Sequence, residues 1–423
     1  MTIVLIIIGF MYLGMLIFPA KRAYFALAGA LGMVLSGTVP VQNTFHVINW
    51  NVIMMLIGTM GIVHLFIQSG MPALLADKIL AKSPNVCLAI IALAAFAGII
   101  SAFVDNVATV LMIAPVGLAV CKKQQINPVP VIITIAVSSN LQGAATLVGD
   151  TTSILLGSYT NMSFFDFVWW QGRPSVFFAV EFGALGTFFV LLWLFRRQKQ
   201  KVTVVMENKV SDYVPTVLLV LIILSLIVAS FFNLPYVDDF KNGLICLFFC
   251  LIGLFRKSVR EKSISPIRHF IYNLEYETLI MLMGLFIVVA GLTEAGVIDA
   301  IAQTFTKMGS GNLALLYLVL VVSSVLLSAF IDNIPYVASM LPVVELIAST
   351  LSLKPALLYF GLLLGATLGG NLTPFGASAN VAGIGILKKE GYVVKTTDFA
   401  KIGIPFTLIA VIMGSLLNWV IWH

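Results

Sequence analysis

The sequence predicts an all-α membrane protein with about ten transmembrane helices and two re-entrant hairpins, arranged as inverted-topology repeats. Of the 423 residues, 60% are hydrophobic and only 10% are charged, and the mean hydropathy is +1.06. A soluble domain has too little interior for so large an apolar fraction, so we expect an integral membrane protein. One phrase also occurs twice, as Ser101-Ala-Phe-Val-Asp105-Asn106 and Ser328-Ala-Phe-Ile-Asp332-Asn333.

Ten segments are long and apolar enough to cross a bilayer, which takes roughly 20 residues per helix. They lie at 2–18, 23–40, 52–70, 128–157, 175–195, 213–232, 240–255, 277–293, 355–387 and 403–421. The first segment has no basic start and no small-residue cleavage site, so it is expected to be a retained span rather than a signal peptide. Glycines and polar residues break the spans at 128–157 and 355–387.

The remaining apolar runs flank the duplicated phrase. The pairs 85–101 with 107–121 and 312–328 with 334–350 are predicted to be the arms of two re-entrant hairpins, 85–121 and 312–350. Amphipathic stretches, Met71–Lys82 and Val297–Lys307, precede the hairpins. They fit helices that lie along the membrane surface, and simple linkers are the alternative.

Membrane orientation follows from the basic residues. Placing Lys21 and Arg22 in the cytoplasm puts every Lys and Arg there except Arg173, Lys241, Lys307 and Lys354. This is the distribution that the positive-inside rule favours. Hairpin 85–121 then enters from the cytoplasm and hairpin 312–350 from outside, so the repeats are inverted. Loops 196–212 and 256–275 are expected to be cytoplasmic, with both termini outside the inner (plasma) membrane.

The predicted organisation has five parts. They are N-terminal scaffold helices (1–50), repeat 1 (51–195), a cytoplasmic loop (196–212), a scaffold helix pair with a basic loop (213–275) and repeat 2 (276–423).

The hairpin tips are the first candidate binding sites. A carboxylate between two short helices in a membrane is costly enough to indicate a function. Asp105, Asn106 and Thr109 form one tip, and Asp332 and Asn333 the other. As an alternative, Asn106 caps the following helix and Asp105 only satisfies backbone groups. Two copies that reach the midplane from opposite sides favour ion binding.

The broken spans supply further candidates. Unwound backbone persists at membrane depth only where it lines protein or a wet cavity, and its oxygens suit a hard cation. The candidate ligands in these spans are Asn140, Gly143, Thr146, Asp150, Thr151, Asn371, Thr373, Gly376, Ser378 and Asn380. Sodium is expected at Asp105, Asn106, Thr146, Asp332, Asn333 and Thr373. A packing notch of small residues would explain the glycines but not Asp150.

Other functional classes find less support. The basic residues are accounted for by topology, so no nucleic-acid partner is expected, and the scattered His and Cys residues predict no metal cluster or cofactor. Two intramembrane aspartates also suggest an aspartyl protease, but neither has a Gly-X-Gly-Asp phrase, so we do not predict an enzyme. A passive channel is a further alternative function. Glu181, Glu294 and Glu345 are either proton relays or carboxylates at helix ends.

Three features of the sequence resemble the ion transporter superfamily. They are the hairpin tips, the segment Gly-Ala-Ala-Thr146-X-X-Gly-Asp150-Thr-Thr and the segment Gly-Gly-Asn371-Leu-Thr373-Pro-X-Gly-Ala-Ser-Ala-Asn380. They look closest to its branch with NhaD-type sodium/proton antiporters, ArsB-type arsenite permeases and the melanosomal P-protein. The likeness runs from about residue 50 to the C-terminus. The plan is more distantly similar to divalent anion:sodium symporters, whose transport domain moves as an elevator against a dimerising scaffold.

That resemblance implies an elevator mechanism and a homodimer. The distant symporters carry Ser-Asn-Thr sodium motifs at their tips, whereas here aspartate replaces the serine. Thr109 is kept in the first copy, but Tyr336 takes its place in the second, which suggests that the two sites are not equivalent.

Carboxylates in a low-dielectric site hold either a proton or a cation, and this competition is a sufficient basis for exchange. The first hypothesis is therefore a sodium (monovalent cation)/proton antiporter in which Asp105 and Asp332 bind Na+ and H+ in turn. The alternative is a permease for an anion, arsenite or a carboxylate. No Lys or Arg occurs in the tips or broken spans, which counts against a dicarboxylate.

Overall fold

The chain is helical almost throughout. The computed structural model describes residues 1–202, 208–232, 237–309 and 311–423. Positions 203–207 of the predicted loop 196–212, and 233–236 of the predicted unit 213–275, lie outside the described residues. The helices are α1 (Thr2–Ile17), α2 (Arg22–Leu35), α3 (Thr44–Val47), α4 (Trp50–Gln68), α5 (Met71–Ala81), α6 (Val86–Ser101), α7 (Asn106–Gln124), α8 (Pro128–Gly143), α9 (Thr151–Tyr159), α10 (Val176–Phe195), α11 (Val214–Ala229), α12 (Lys241–Glu261), α13 (Ser265–Asn273), α14 (Tyr276–Glu294), α15 (Val297–Gly309), α16 (Leu313–Ser328), α17 (Asn333–Thr350), α18 (Ala356–Gly369), α19 (Ser378–Lys389) and α20 (Thr396–Trp422).

One short β-hairpin departs from the predicted all-α class. Strands β1 (Trp169–Trp170) and β2 (Arg173–Pro174) pair antiparallel in the connection between α9 and α10. Gln171 and Gly172 between them both have positive φ, which is the geometry of a two-residue hairpin turn.

The apolar helices lie where the hydropathy predicts them. Among the described residues, α4, α7, α10, α12, α14 and α20 are long and apolar enough to cross a membrane, and α1, α6, α11, α16 and α18 are shorter apolar helices. Helices form at both amphipathic stretches, as α5 and α15, and their position along the membrane surface stays a prediction. The predicted loop 256–275 is instead largely helical, because α12 continues to Glu261 through residues with good helix propensity and α13 follows it.

Each duplicated phrase joins two helices, α6 to α7 in the first half and α16 to α17 in the second, as the predicted hairpin arms require. Asn85 and Asn312 cap the first arms, since their Oδ1 atoms accept hydrogen bonds from backbone amides at 2.9 Å. The caps of the second arms are Asp105 and Asp332, so the expectation that Asn106 is the cap is wrong. The aspartates lie one residue earlier in extended backbone, from which a side chain reaches the first free amides of a helix.

Two spans break near their middle. The chain unwinds between the end of α8 at Gly143 and the start of α9 at Thr151, and again between α18 and α19. Gly149 and Gly376 lie in these breaks and pack against backbone oxygens of the neighbouring hairpin tip, where a Cβ atom would come within 2.9 Å of Ala102 O and Ala329 O. The two breaks at 144–150 and 370–377 are therefore held directly against the tips.

Two helix pairs define the faces of the protein. In α2 and α14, Ala26 meets Gly284 and Met33 meets Gly291, so these helices run parallel. Helices α4 and α12 also run parallel, because Gly58 meets Cys246 and Gly61 meets Cys250. The start of α4 lies beside the end of α14 around one cavity. We call the end at which α2 and α14 begin the α2 face, and the opposite end the α4 face.

The helices pack as two groups. A scaffold group contains α1–α4 and α11–α14, and a hairpin group contains α6–α10 and α16–α20. The order of elements in α1–α10 recurs in α11–α20, including the hairpin and the break. In this order, α11–α13 stand in the second half where α1–α3 stand in the first, although the sequence-based division treats 1–50 and 213–275 as separate scaffold units.

Candidate functional site

Both hairpin tips and both breaks meet at one small cavity of about 50 Å³. Seven of the predicted site residues line it, namely Asp105, Asn106, Asn140, Asp150, Thr151, Asn333 and Ser378. The other predicted residues, Thr109, Gly143, Thr146, Asp332, Asn371, Thr373, Gly376 and Asn380, are not among the lining residues. They lie behind them in the hydrogen-bond network or in the breaks.

Two threonines fasten the breaks to the tips. Thr146 Oγ1 donates a hydrogen bond to Ala102 O in the first half, and Thr373 Oγ1 donates to Ala329 O at 2.5 Å in the second. Thr109 Oγ1 faces Val104 O within its own hairpin at 3.4 Å. These hydroxyls are thus occupied in positioning the tips, and the prediction that Thr146 and Thr373 bind sodium stays a prediction.

Three asparagines join the two halves beneath the cavity. Asn140 Nδ2 donates to Asn371 Oδ1 at 2.7 Å and to Asn380 Oδ1 at 3.0 Å. Asn371 Nδ2 in turn donates to Val137 O at 3.1 Å, and Asn380 Nδ2 to Gly370 O at 3.0 Å. These bonds fix the orientation of all three amides.

This orientation leaves one acceptor free. Asn140 Oδ1 is buried and has no hydrogen-bond partner among the described residues, and Asn140 lines the cavity. If the amide of Asn140 were turned by 180°, its Nδ2 would take the place of the free Oδ1. Its Oδ1 would then face the Oδ1 atoms of Asn371 and Asn380, and both hydrogen bonds would be lost. A buried polar atom without a partner costs free energy, so this oxygen calls for a ligand or a water molecule.

Asp150 bridges the first break and the second tip. Its Oδ2 accepts hydrogen bonds from Thr152 Oγ1 at 2.8 Å and from Asn333 Nδ2 at 3.2 Å, and the residue is only 5% exposed. The second break has Ala377 at the position after its glycine, where the first has Asp150. The two halves therefore differ in charge at the centre of the site.

The cavity also contains a carboxylate that the sequence did not single out. Glu275 lies one residue before α14 and lines the cavity with Asp105 and Asp150. None of the three forms an ion pair within the described part of the chain. The duplication also aligns Glu275-Tyr-Glu with Asn49-Trp-Asn, but this alignment by itself does not indicate that Glu275 approaches the tips.

A guanidinium group reaches the second tip from the scaffold group. Arg22 Nη1 forms an ion pair with Asp332 Oδ2, and its Nη2 lies 3.4 Å from Phe375 O in the second break. Ser378 Oγ also donates to Asp332 Oδ2, at 3.3 Å. The tips and broken spans themselves contain no Lys or Arg. Arg22 of α2 nevertheless brings a guanidinium group to the second tip, which weakens the argument against a dicarboxylate that rested on their absence.

The other acidic candidates lie elsewhere. Glu181, Glu294 and Glu345 do not line the central cavity. Glu345 instead accepts a hydrogen bond from Tyr159 Oη beside a separate cavity of about 590 Å³ on the α4 face. A relay through any of the three has no direct connection to the tips in this arrangement.

Sequence comparison identifies relatives along the whole chain. The model of a family described as citrate transporters (CitMHS) matches residues 3–365 and 275–422. A 46 kDa membrane protein of Mycobacterium leprae is 32% identical over 95% of this chain and 94% of its own. A Mycobacterium tuberculosis protein named as an uncharacterized transporter is 32% identical over 93% of this chain and 92% of its own. The P protein of Mus musculus is 24% identical, and the match spans 92% of this chain and 56% of the mouse protein.

Two solved structures share the fold. The YdaH transporter of Alcanivorax borkumensis superimposes with a TM-score of 0.62 at 14% identity, over 92% of this chain and 88% of that chain. MtrF of Neisseria gonorrhoeae, described with a class of antimetabolite efflux pumps, superimposes with a TM-score of 0.57 at 16% identity, over 92% of this chain and 83% of that chain. The predicted resemblance to the ion transporter superfamily is confirmed. The chain is a multi-pass membrane transporter and belongs to the citrate transporter family of the ion transporter superfamily.

Proposed function

We propose that the protein exchanges Na+ or another monovalent cation for protons, and that both bind at the central cavity. The observation that carries this proposal is the set of three carboxylates, from Asp105, Asp150 and Glu275, that line one small cavity and have no basic partner among the described residues. Uncompensated charges in a low-dielectric interior are strongly unfavourable. Protons or a cation must neutralise them, and each excludes the other, which couples the two fluxes.

The size and the ligands of the cavity support a small cation. A volume of about 50 Å³ has room for a few water molecules or one ion. Carboxylate and amide oxygens are the ligands that hard cations prefer, and Asn140 Oδ1 offers a buried acceptor that has no partner in the described part of the chain. Pockets that enclose organic ligands are several times larger, at roughly 300–1,000 Å³.

The arrangement of the two helix groups supports alternating access of the elevator type. Arg22 and Glu275, at the beginnings of α2 and α14, meet the tips, so the cavity lies toward the α2 face of the scaffold group. The larger cavities, of about 590 and 750 Å³, lie on the α4 face between the starts of α4 and α12 and the neighbouring helices. If the basic α2 face is cytoplasmic, as the positive-inside rule predicts, this conformation opens inward.

Movement of the hairpin group toward the α4 face would then open the site outward. The tips would travel with their breaks as one body, because Thr146 and Thr373 fasten each break to its tip. The inverted repeats, the homodimer and the inner-membrane location belong to the same proposal. They would let two related halves exchange their conformations about a common scaffold.

A carboxylate such as citrate is the second candidate cargo. The family description names citrate transporters, and Arg22 supplies the guanidinium that a carboxylate prefers as a partner. In this conformation the guanidinium group is already paired with Asp332, and the cavity is small for a tricarboxylate. Citrate transport would require a conformation in which Arg22 leaves Asp332 and the cavity enlarges.

Purified protein in liposomes distinguishes these cargoes. We expect a Na+ gradient to drive proton movement, and we expect Asp150→Asn to abolish it. Citrate and arsenite uptake, measured in the same vesicles with and without Na+ and pH gradients, provide the competing arms. Citrate uptake in vesicles that show no Na+-driven proton flux would overturn the exchange proposal in favour of the second candidate.

A further inference from the structure

The ion pair between Arg22 and Asp332 joins the scaffold group to the hairpin group. Both side chains are shielded, with Arg22 14% exposed and Asp332 3% exposed. The guanidinium group contacts the tip carboxylate and also Phe375 O of the break. Carboxylate and carbonyl oxygens of this kind are what a cation at the second tip would use, so Arg22 occupies that position in this conformation.

The first tip has the opposite electrostatic environment. Asp105 Oδ1 accepts hydrogen bonds from Val107 N at 2.9 Å and Ala108 N at 3.2 Å, as expected of a helix cap. Its scaffold neighbour in the cavity is Glu275, a second carboxylate. One tip is therefore neutralised by the protein, and the other depends on a proton or a cation from outside.

The recurrence of the helices points to a second basic residue with the role of Arg22. Helix α12 stands in the second half where α2 stands in the first, and each begins after a single 3₁₀ turn, at Pro19–Lys21 and at Asp238–Phe240. Ala26 of α2 meets Gly284, and Cys246 of α12 meets Gly58, so Ala26 and Cys246 are taken as equivalent positions. In this alignment Arg22 corresponds to Asn242, and Lys241 lies one residue before it.

Lys241 lies on the α4 face, away from the tips. It lines the cavity of about 750 Å³ there. Its Nζ contacts Asp238 Oδ1 at 3.0 Å and Phe232 O at 3.1 Å, and its side chain is 14% exposed. A lysine side chain is long and flexible, so it can change partners when a new carboxylate approaches.

We propose that Arg22 and Lys241 are alternating counter-cations of the two tips. Arg22 neutralises Asp332 in the conformation described here, and Lys241 neutralises Asp105 when the hairpin group has moved toward the α4 face. This inference rests on the alternating access that is part of the proposed function. In each state one tip carries a basic residue of the scaffold group, and the other binds a transported cation or proton. The exchange avoids leaving a buried carboxylate unpaired in either state.

Cysteine cross-linking in liposomes tests the proposal without any cargo. The reporter for the present state is Tyr12→Cys with Ser339→Cys, joined by a short bifunctional thiol reagent that makes up the length of the lost tyrosine ring, because Tyr12 Oη lies 2.9 Å from Ser339 Oγ across the two groups. The reporter for the opposite state is Asn242→Cys with Val107→Cys, because these residues lie beside Lys241 and Asp105 and leave both charged groups in place. The native cysteines, Cys87, Cys121, Cys246 and Cys250, are all buried, so they should add little background.

Arg22→Gln is expected to lower cross-linking of the first reporter about tenfold and to raise that of the second, which is within the usual range of conformational coupling. Arg22→Lys should retain most of the first cross-link. Lys21→Gln and Lys354→Gln are exposed controls of equal charge change and should alter neither. An unchanged first reporter in Arg22→Gln would overturn the role of Arg22. Loss of the first reporter without gain of the second would overturn the role of Lys241.

The result separates this proposal from the assignment of cargo. Reporter changes as expected in a protein that moves no Na+ would keep the counter-cations and reject cation exchange. Normal Na+-driven proton flux, together with reporters that do not change in Arg22→Gln, would keep cation exchange and reject the counter-cations.

Discussion

Replacement of Gly149 by alanine tests whether the break must lie directly against the hairpin tip. A Cβ atom there would lie 2.7 Å from Gly143 O and 2.9 Å from both Ala102 O and Ser101 O, whereas ordinary contacts begin at 3.4 Å. All three oxygens are backbone atoms and cannot rotate away. The tip must therefore retreat by about 0.5 Å or more, at the cost of about 1–3 kcal/mol that overpacking usually carries.

We expect Gly149→Ala to lower the thermal stability of the purified protein and to slow transport about tenfold or more. The second effect follows because a displacement of about 1 Å in a pre-organised site costs up to ~100-fold in rate. Gly376→Ala is the matched change in the second half, where Gly370 O lies 2.7 Å and Ala329 O 2.9 Å from the new Cβ.

Gly385→Ala is the control, since nothing lies within 4 Å of its Cβ position in α19. It should be neutral or slightly stabilising, as alanine is about 1 kcal/mol better than glycine inside a helix. Melting temperature and liposome transport rate are measured for all variants at equal protein content. If Gly149→Ala behaves like Gly385→Ala in both assays, the tight contact between break and tip is not required.

Three further changes test the charges and hydrogen bonds of the site and of the connection that leads into α11. Asp150→Asn keeps the oxygen that accepts from Thr152 but removes the charge, so Na+-driven proton flux should fall about a hundredfold or more, because a unit charge about 4 Å from a cation is worth several kcal/mol at an effective dielectric of about 20. Asn140→Ala removes the group that donates hydrogen bonds to Asn371 Oδ1 and Asn380 Oδ1. Each oxygen left without its donor should lower the free energy of unfolding by about 1–3 kcal/mol, measured by thermal unfolding. Burial opposes ionisation of Asp212, but the hydrogen bonds from Arg256 and from Val214 N and the charges of Arg256 and Arg260 together outweigh it and hold the pKa of Asp212 below its usual range; the difference in stability between wild type and Asp212→Asn should therefore persist at neutral pH and disappear as the pH falls below about 4.

The sequence predicts the fold well where the pattern is local. Hydropathy placed the apolar helices, and the duplicated phrase placed both hairpin tips between short arms. Glycine-rich interruptions marked the breaks, because few other residues permit backbone to pack against backbone. The identity of the helix cap was harder to predict, since Asp and Asn are about equally good caps and only the backbone conformation selects Asp105 over Asn106.

The scaffold residues at the site could not be predicted in this way. Arg22 lies 310 positions from its partner Asp332, and nothing in the local pattern of α2 relates it to a hairpin in the other half of the chain. Glu275 similarly reads as an ordinary acidic residue at a helix start. Their approach to the tips depends on the height of the hairpin group relative to the scaffold group, which is a tertiary property.

Calorimetric titration of the detergent-purified protein with NaCl, at two pH values and at constant ionic strength, tests the central claim most directly. Competition between Na+ and protons for the same carboxylates predicts saturable binding that weakens as the pH falls, with proton release that shows as a dependence of the heat on the ionisation enthalpy of the buffer. The same titration of Asp150→Asn should lose this signal. Absence of Na+ binding to the wild type, or an affinity independent of pH, would contradict the account.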